Sequence, residues 1–96
     1  MTLRWTPSAA RDMEAVSDFL EETSPEARTP VLDAIVRAVE KLREYPLMGR
    51  PGRRRETREL VIARTPFLVW YRERGAHVEV LRVVHGRMKW PPRVRR

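Results

Sequence analysis

The side chains with the most capacity for polar chemistry in this sequence are arginines, and they are gathered in one half of it. Tyr45 to Arg96 holds 14 basic and 4 acidic residues, a sum of +10, whereas Met1 to Glu44 holds 6 basic and 9 acidic, a sum of −3. Lysine occurs only as Lys41 and Lys89. A guanidinium presents a planar fork of donors that engages phosphate or carboxylate through paired hydrogen bonds. A positive face segregated in this way points to an anionic partner: nucleic acid, an acidic protein chain or a membrane surface. A GC-rich genome would also enrich arginine, and composition alone does not separate the two causes. Cysteine is absent, which excludes disulfides, zinc–thiolate sites and thiol chemistry and suits a reducing cytoplasm. The sequence contains no glycine-rich phosphate loop, no metal-ligand spacing and no RNA-binding aromatic motif, so neither a cofactor nor a metal is expected. After Met1-Thr2-Leu3-Arg4-Trp5 no long apolar stretch follows. The expectation is therefore a cytoplasmic protein with no membrane partner.

These arginines need a frame, and 96 residues provide for one domain with a single modest core, spanning 1–96. Leu3 and Trp5 alternate with polar neighbours, as in a short strand with one apolar face. Thr6-Pro7 is a helix cap followed by proline at the first helical position, and Ala9, Met13, Val16 and Phe19/Leu20 then recur on one helical face. Ser24-Pro25 repeats the signal for a second helix, with Val31, Ile35, Val39 and Leu42 as its buried stripe. Pro30 should bend that helix near its start, and its end is expected near Glu44. From Tyr45 to Thr57, two glycines, two prolines and Arg50, Arg53, Arg54 and Arg55 read as loop. Three β-branched and aromatic runs follow, Arg58–Ala63, Phe67–Arg72 and Val78–Val84, joined by turns at Thr65-Pro66 and Arg74-Gly75 into an antiparallel meander. Residues 91–96 read as a frayed tail. The fold class is α+β in the order β-α-α-β-β-β, with two helices on one face of a small curved, mainly antiparallel sheet.

Strict alternation in the last strand puts Val78, Val80 and Val84 on one face and Leu81 and Val83 on the other. Both faces are then apolar, and two helices cover only one. The other requires the tail or a second chain, and the sequence Arg87-Met88-Lys89-Trp90-Pro91-Pro92-Arg93 is a poor lid, which favours a partner. Arg82 shares a face with Val78, Val80 and Val84 on this reading. An arginine there wants a carboxylate, from Glu59 or from the partner.

Five fragments in order resemble the RelE/ParE toxins of type II toxin–antitoxin systems, nearer the ParE branch: Trp5-Thr6-Pro7-x-Ala9; Leu42-x-x-x-Pro46-x-x-Gly49-Arg50; Thr57-Arg58-Glu59-Leu60; Pro66-Phe67-Leu68-Val69-Trp70-Tyr71-Arg72; and Val84-His85-Gly86-Arg87-x-x-Trp90-Pro91. The resemblance runs nearly end to end. It implies a cognate antitoxin whose acidic, partly apolar C-terminal segment wraps the toxin, with DNA contacted only indirectly through that antitoxin. It also implies one of two activities: inhibition of DNA gyrase without nuclease chemistry, or ribosome-dependent cleavage of messenger RNA.

Cleaving an RNA backbone needs a base, an acid and cations converging on one phosphate. The messenger-cleaving relatives carry an arginine before the aliphatic pair of the third strand, where this sequence has Leu68. That departure favours the gyrase branch. A nuclease here would be built from Arg64, Arg82, His85 and Arg87, with His85 as base. The plain alternative for His85 is a hydrogen bond to the turn backbone at Gly86. Binding of antitoxin or target is assigned to Arg58, Arg64, Trp70, Arg82, Arg87 and Trp90, although Arg58 with Glu59 also reads as a structural ion pair and the tryptophans as core or lid aromatics. A nontoxic nucleic-acid-binding module would explain the basic half and none of the ordered fragments.

Overall fold

The computed structural model describes residues 1–88 and 92–96. Its elements are β1 (Thr2–Trp5), α1 (Pro7–Thr23), α2 (Pro25–Lys41), β2 (Arg50–Pro51), β3 (Arg58–Val61), β4 (Phe67–Arg74) and β5 (His77–His85). The strands form one five-stranded sheet in the order β1-β5-β4-β3-β2. β1 runs parallel to β5, and the other pairs are antiparallel. The expected β-α-α-β-β-β order is thus present with one addition, the two-residue β2 inside the segment read as loop.

Thr6 ties the start of α1 to the sheet. Its hydroxyl accepts from the Ala9 amide at 3.0 Å and donates to the Leu81 carbonyl at 2.8 Å, so one cap satisfies an orphan helix donor and fixes the helix to β5. Ala9, Val16 and Leu20 bury one face of α1, and Ile35 and Val39 one face of α2, while Phe19 at the edge of the α1 stripe is 59% exposed. α2 ends at Lys41 rather than near Glu44, because the amides of Leu42, Arg43 and Glu44 bond three residues back, to Val39, Glu40 and Lys41. The last turn tightens instead of continuing as α-helix.

Strict alternation along β5 fails at one residue. Tyr71 pairs with Val80 and Trp70 with Arg82, leaving Leu81 as a bulge. An extra residue reverses which side chains share a face. Val78, Val80 and Val83 join the core under the helices with Val69 and Tyr71, and Leu81 and Val84 join Leu68 and Trp70 on the opposite face. The sequence reading had Val84 and Val83 on the wrong sides for this reason.

That opposite face is already covered within the chain. Leu68, Trp70, Leu81 and Val84 are each at most 4% exposed, and Val94 packs against them. The residues read as a frayed tail are held at several points: the Arg93 carbonyl accepts from Arg82 Nη1 at 2.6 Å, the Ser8 amide donates to the Arg95 carbonyl at 3.2 Å, and the Arg95 amide donates to the Ser8 hydroxyl. A lid supplied by a second chain is not needed to bury this face. No helix among the described residues is long and apolar enough to cross a membrane.

Candidate interaction site

Two of the places where the fold brings polar side chains together involve the residues singled out from the sequence. The first is the loop between α2 and β3. Glu59 on β3 is 2% exposed, and its carboxylate accepts from the Arg53 amide at 2.9 Å, from Arg53 Nε at 3.2 Å and from Arg50 Nη2 at 3.1 Å. Burial pushes its pKa up, but the hydrogen bonds from the Arg53 backbone and from the two guanidinium groups outweigh that, and the net displacement is downward. Arg58 Nη1 donates to the Gly49 carbonyl at 2.9 Å. Tyr71 reaches up from the core, its hydroxyl donating to the Pro46 carbonyl at 2.7 Å and accepting from the Gly49 amide at 2.8 Å. Burial raises the pKa of this phenol, which keeps it in the form that can donate. Gly49 must be glycine here, since a Cβ would lie 2.7 Å from the Tyr71 ring and hydroxyl. These bonds give a physical reason for the Pro46-x-x-Gly49-Arg50 fragment.

With the loop held from beneath, its upper surface is left apolar and basic. Tyr45 and Leu47 are each 61% exposed, Met48 43% and Val61 on β3 56%. Nothing in periodicity marks Tyr45, Leu47 and Met48, because they fall in a segment whose glycines and prolines signal loop; the readable sign was large apolar side chains among turn residues. Glu56, after Arg53-Arg54-Arg55, has φ 60, a left-handed conformation that costs a non-glycine residue about 1 kcal/mol or more.

The second place lies at the α1 end of the sheet. Arg82 forms a forked pair with Asp12, Nε to Oδ2 at 2.6 Å and Nη2 to Oδ1 at 2.9 Å, and Asp12 Oδ2 also accepts from the Val83 amide at 2.8 Å. Both side chains are about 15% exposed (15% and 14%). The carboxylate that Arg82 needs is therefore Asp12 on α1, which the sequence reading missed, and not Glu59, which is spent on the loop. Trp70 sits directly opposite Arg82 in the ladder and is buried on the tail-covered face. His85 Nδ1 accepts from the Arg87 amide at 3.1 Å, and its ring packs edge-on against Phe67 with centroids 6.0 Å apart.

Of the residues assigned from sequence, Arg58 belongs to the loop, Arg82 and Trp70 to the α1 end, and His85 and Arg87 to the turn after β5. Arg64 has φ 65 in the turn between β3 and β4, at the same end of the sheet as His85, since the Gly86 amide bonds the Pro66 carbonyl. Trp90 lies outside the described residues. Arg64, Arg82, His85 and Arg87 do not form one hydrogen-bonded group: Arg82 is drawn to Asp12 and Arg93, and His85 meets only the backbone of Arg87 among them. Among the described residues no group of three His, Asp or Glu side chains is placed to hold a metal ion.

Two helices on a mixed five-stranded sheet, with Arg50 and Arg53 held by Glu59 and Arg82 held by Asp12, make up a small α+β domain. Residues 3–90 match the family model described as the ParE toxin of the type II system parDE. The chain belongs to the ParE toxin family. It is 42% identical over 89 residues to a protein of Sinorhizobium fredii (strain NBRC 101917 / NGR234) that carries a toxin name, Y4kP, covering 93% of this chain and 92% of the relative. It superposes with a TM-score of 0.79 and 31% identity on a chain of the chromosomal ParDE system from P. aeruginosa, over 88% of this chain and 95% of that one. A chain of the RelBE2 toxin–antitoxin complex from Mycobacterium tuberculosis is similar over the same shares, with a TM-score of 0.62 and 28% identity.

Proposed function

We propose that this toxin is neutralised by a cognate antitoxin and acts by binding DNA gyrase, with no catalytic chemistry of its own. The observation that carries the second part is Leu68. It occupies the position where the resemblance puts an arginine in messenger-cleaving relatives, and it is 4% exposed, packed with Trp70, Leu81 and Val84. A buried leucine at this position presents no charge to a crowded phosphate. The antitoxin reading is supported by the P. aeruginosa ParDE and M. tuberculosis RelBE2 chains, which come from systems named for both components. Its acidic, partly apolar segment fits the α1 end, where Arg11, Arg82, Arg93 and Arg95 line a groove beside Val94. Engaging the tail-covered face would require that segment to take the place of Val94.

Purified toxin should inhibit gyrase supercoiling and leave ribosome-bound messenger RNA intact, and added antitoxin should restore supercoiling. Codon-specific cleavage on translating ribosomes would overturn the gyrase reading. The second reading, a ribosome-dependent endonuclease, draws on the RelBE2 likeness and on the neighbouring His85 and Arg87. It requires that Arg87→Ala abolish toxicity while antitoxin binding survives.

A further inference from the structure

β3 carries one rung of backbone that the sheet leaves open. The Ile62 amide donates to the Phe67 carbonyl of β4 at 3.1 Å, and residues of an antiparallel ladder bond alternately to one side and the other. The amide and carbonyl of Val61 therefore point away from β4. β2 covers β3 only at Arg58 and Glu59, because the chain before Arg50 turns aside: the Met48 amide bonds the Tyr45 carbonyl at 3.1 Å. Among the described residues Val61 has no partner for either group, and it is 56% exposed. An open rung accepts another extended chain.

A groove of about 290 Å3 lies between this edge and α2. Ala34 and Ala38 are small enough to leave room in it, and Met48, Leu60 and Ile62 make its lining apolar. Its charged residues are Arg37 and Lys41, with no carboxylate, and neither forms an ion pair among the described residues. Nearby acids of the same stretch stand elsewhere. Asp33 and Glu40 do not line the groove, Glu40 being held by Arg43 at 2.8 Å, and Glu44 lines a separate hollow with Tyr45 and Leu47.

These observations select the occupant. An extended polypeptide fills an open rung, the apolar lining takes a large apolar side chain from it, and two unpaired cations call for acidic neighbours. A second copy of this chain, pairing edge to edge about a two-fold axis, would bring its own Arg37 and Lys41 against these, a like-charge contact. We propose that the antitoxin's acidic, partly apolar segment adds a short strand to the β3 edge at Val61. It seats an apolar side chain in the groove beside α2 and meets Arg37 and Lys41 with carboxylates. This inference rests on the proposed antitoxin reading and adds a contact apart from the α1 end, since the two grooves share no lining residue.

The test uses the full chain and the purified cognate antitoxin. Val61→Pro deletes the outward amide at a place where proline is tolerated, because that amide has no ladder bond to lose, and Val61→Thr keeps it. Arg37→Glu with Lys41→Glu reverses the charge of the groove. Thermal unfolding of each variant checks that the fold is kept. Expected is a loss of antitoxin affinity of at least about 10-fold for Val61→Pro and for the charge reversal, with Val61→Thr within about 3-fold of the unaltered chain. In the unaltered chain the antitoxin should slow amide exchange at Val61 by about 10-fold or more. Full affinity in Val61→Pro, with no added protection at Val61, shows that no strand is added, and the proposal falls. A loss confined to the charge reversal is a side-chain contact without strand pairing, which also overturns it. An unaltered chain that binds no antitoxin defeats the antitoxin reading as a whole, a pattern distinct from the other two.

Discussion

Glu59 is the residue on which most of the loop converges, and its protonation state is a handle on the loop. The folded state lowers its pKa from the ordinary value of 4.5, so the stability it contributes is fully present above about that pH and is lost as pH falls through the depressed folded value. In Glu59→Gln the Arg53 amide and both guanidinium groups lose their anion, and the arginines are half exposed, so the cost near neutrality should be about 1–2 kcal/mol. Thermal melts at stepped pH should show the two proteins separated at pH 7 and drawing together as pH falls below the ordinary value of 4.5; a separation that stays constant into acid would show that the charge is not what matters. Tyr71 supplies the other end of the clamp. Tyr71→Phe removes one donor and one acceptor while leaving the Pro46 carbonyl and Gly49 amide in place, a loss of about 1–3 kcal/mol. Amide exchange at Gly49 should accelerate while exchange in β5 changes less. Neither role was visible in the chain as a list of residues. Glu59 next to Arg58 suggested a local ion pair, and Tyr71 lay in an apolar run, because the partners that define them come from the preceding loop, 6 and 9 positions from Glu59 and 22 and 25 from Tyr71.

At the scale of elements, the two helices, the three main strands and the Thr6 cap could be read directly, since each rests on local signals: a hydroxyl before proline, a 3.6-residue stripe, a β-branched run between turns. What could not be read depended on pairing. The bulge at Leu81 arises where β5 meets β4 at Trp70 and Tyr71, and one inserted residue exchanged the faces of Val83 and Val84. The pairing of Arg82 with Asp12 joins positions 70 apart, and no spacing rule anticipates it. The C-terminal segment was misjudged for a related reason: Val94 is a single apolar residue among arginines and prolines, too little to signal a lid, yet it is anchored on both sides by Arg82 and Ser8. Truncation after Pro92 tests its role. The shortened chain should bind a hydrophobic dye that the full chain excludes, and tryptophan emission should shift to the red as Trp70 meets water. An unchanged emission spectrum would mean that Val94 covers nothing of consequence.

Over the whole molecule the division of charge is the property that composition recorded most faithfully, and the fold keeps it useful. The first 44 residues sum to −3 and build β1 and both helices; the remaining residues sum to +10 and build β2 to β5, their loops and the tail. In a globule with a radius of gyration of 12.7 Å, these halves lie only about one to two Debye lengths apart at physiological salt, so the field outside the molecule is asymmetric. Such a field steers an acidic partner toward the arginine-bearing surfaces before any contact forms. Steering acts on the encounter and less on the docked complex, where burial shields paired charges from salt. Association with the antitoxin, followed by stopped-flow, should therefore slow about 10-fold or more between 50 mM and 500 mM salt while the dissociation rate changes far less. Arg54→Glu with Arg55→Glu should flatten that dependence, because steering responds to the summed field. A salt dependence carried wholly by dissociation would instead place the arginines' contribution in the bound complex.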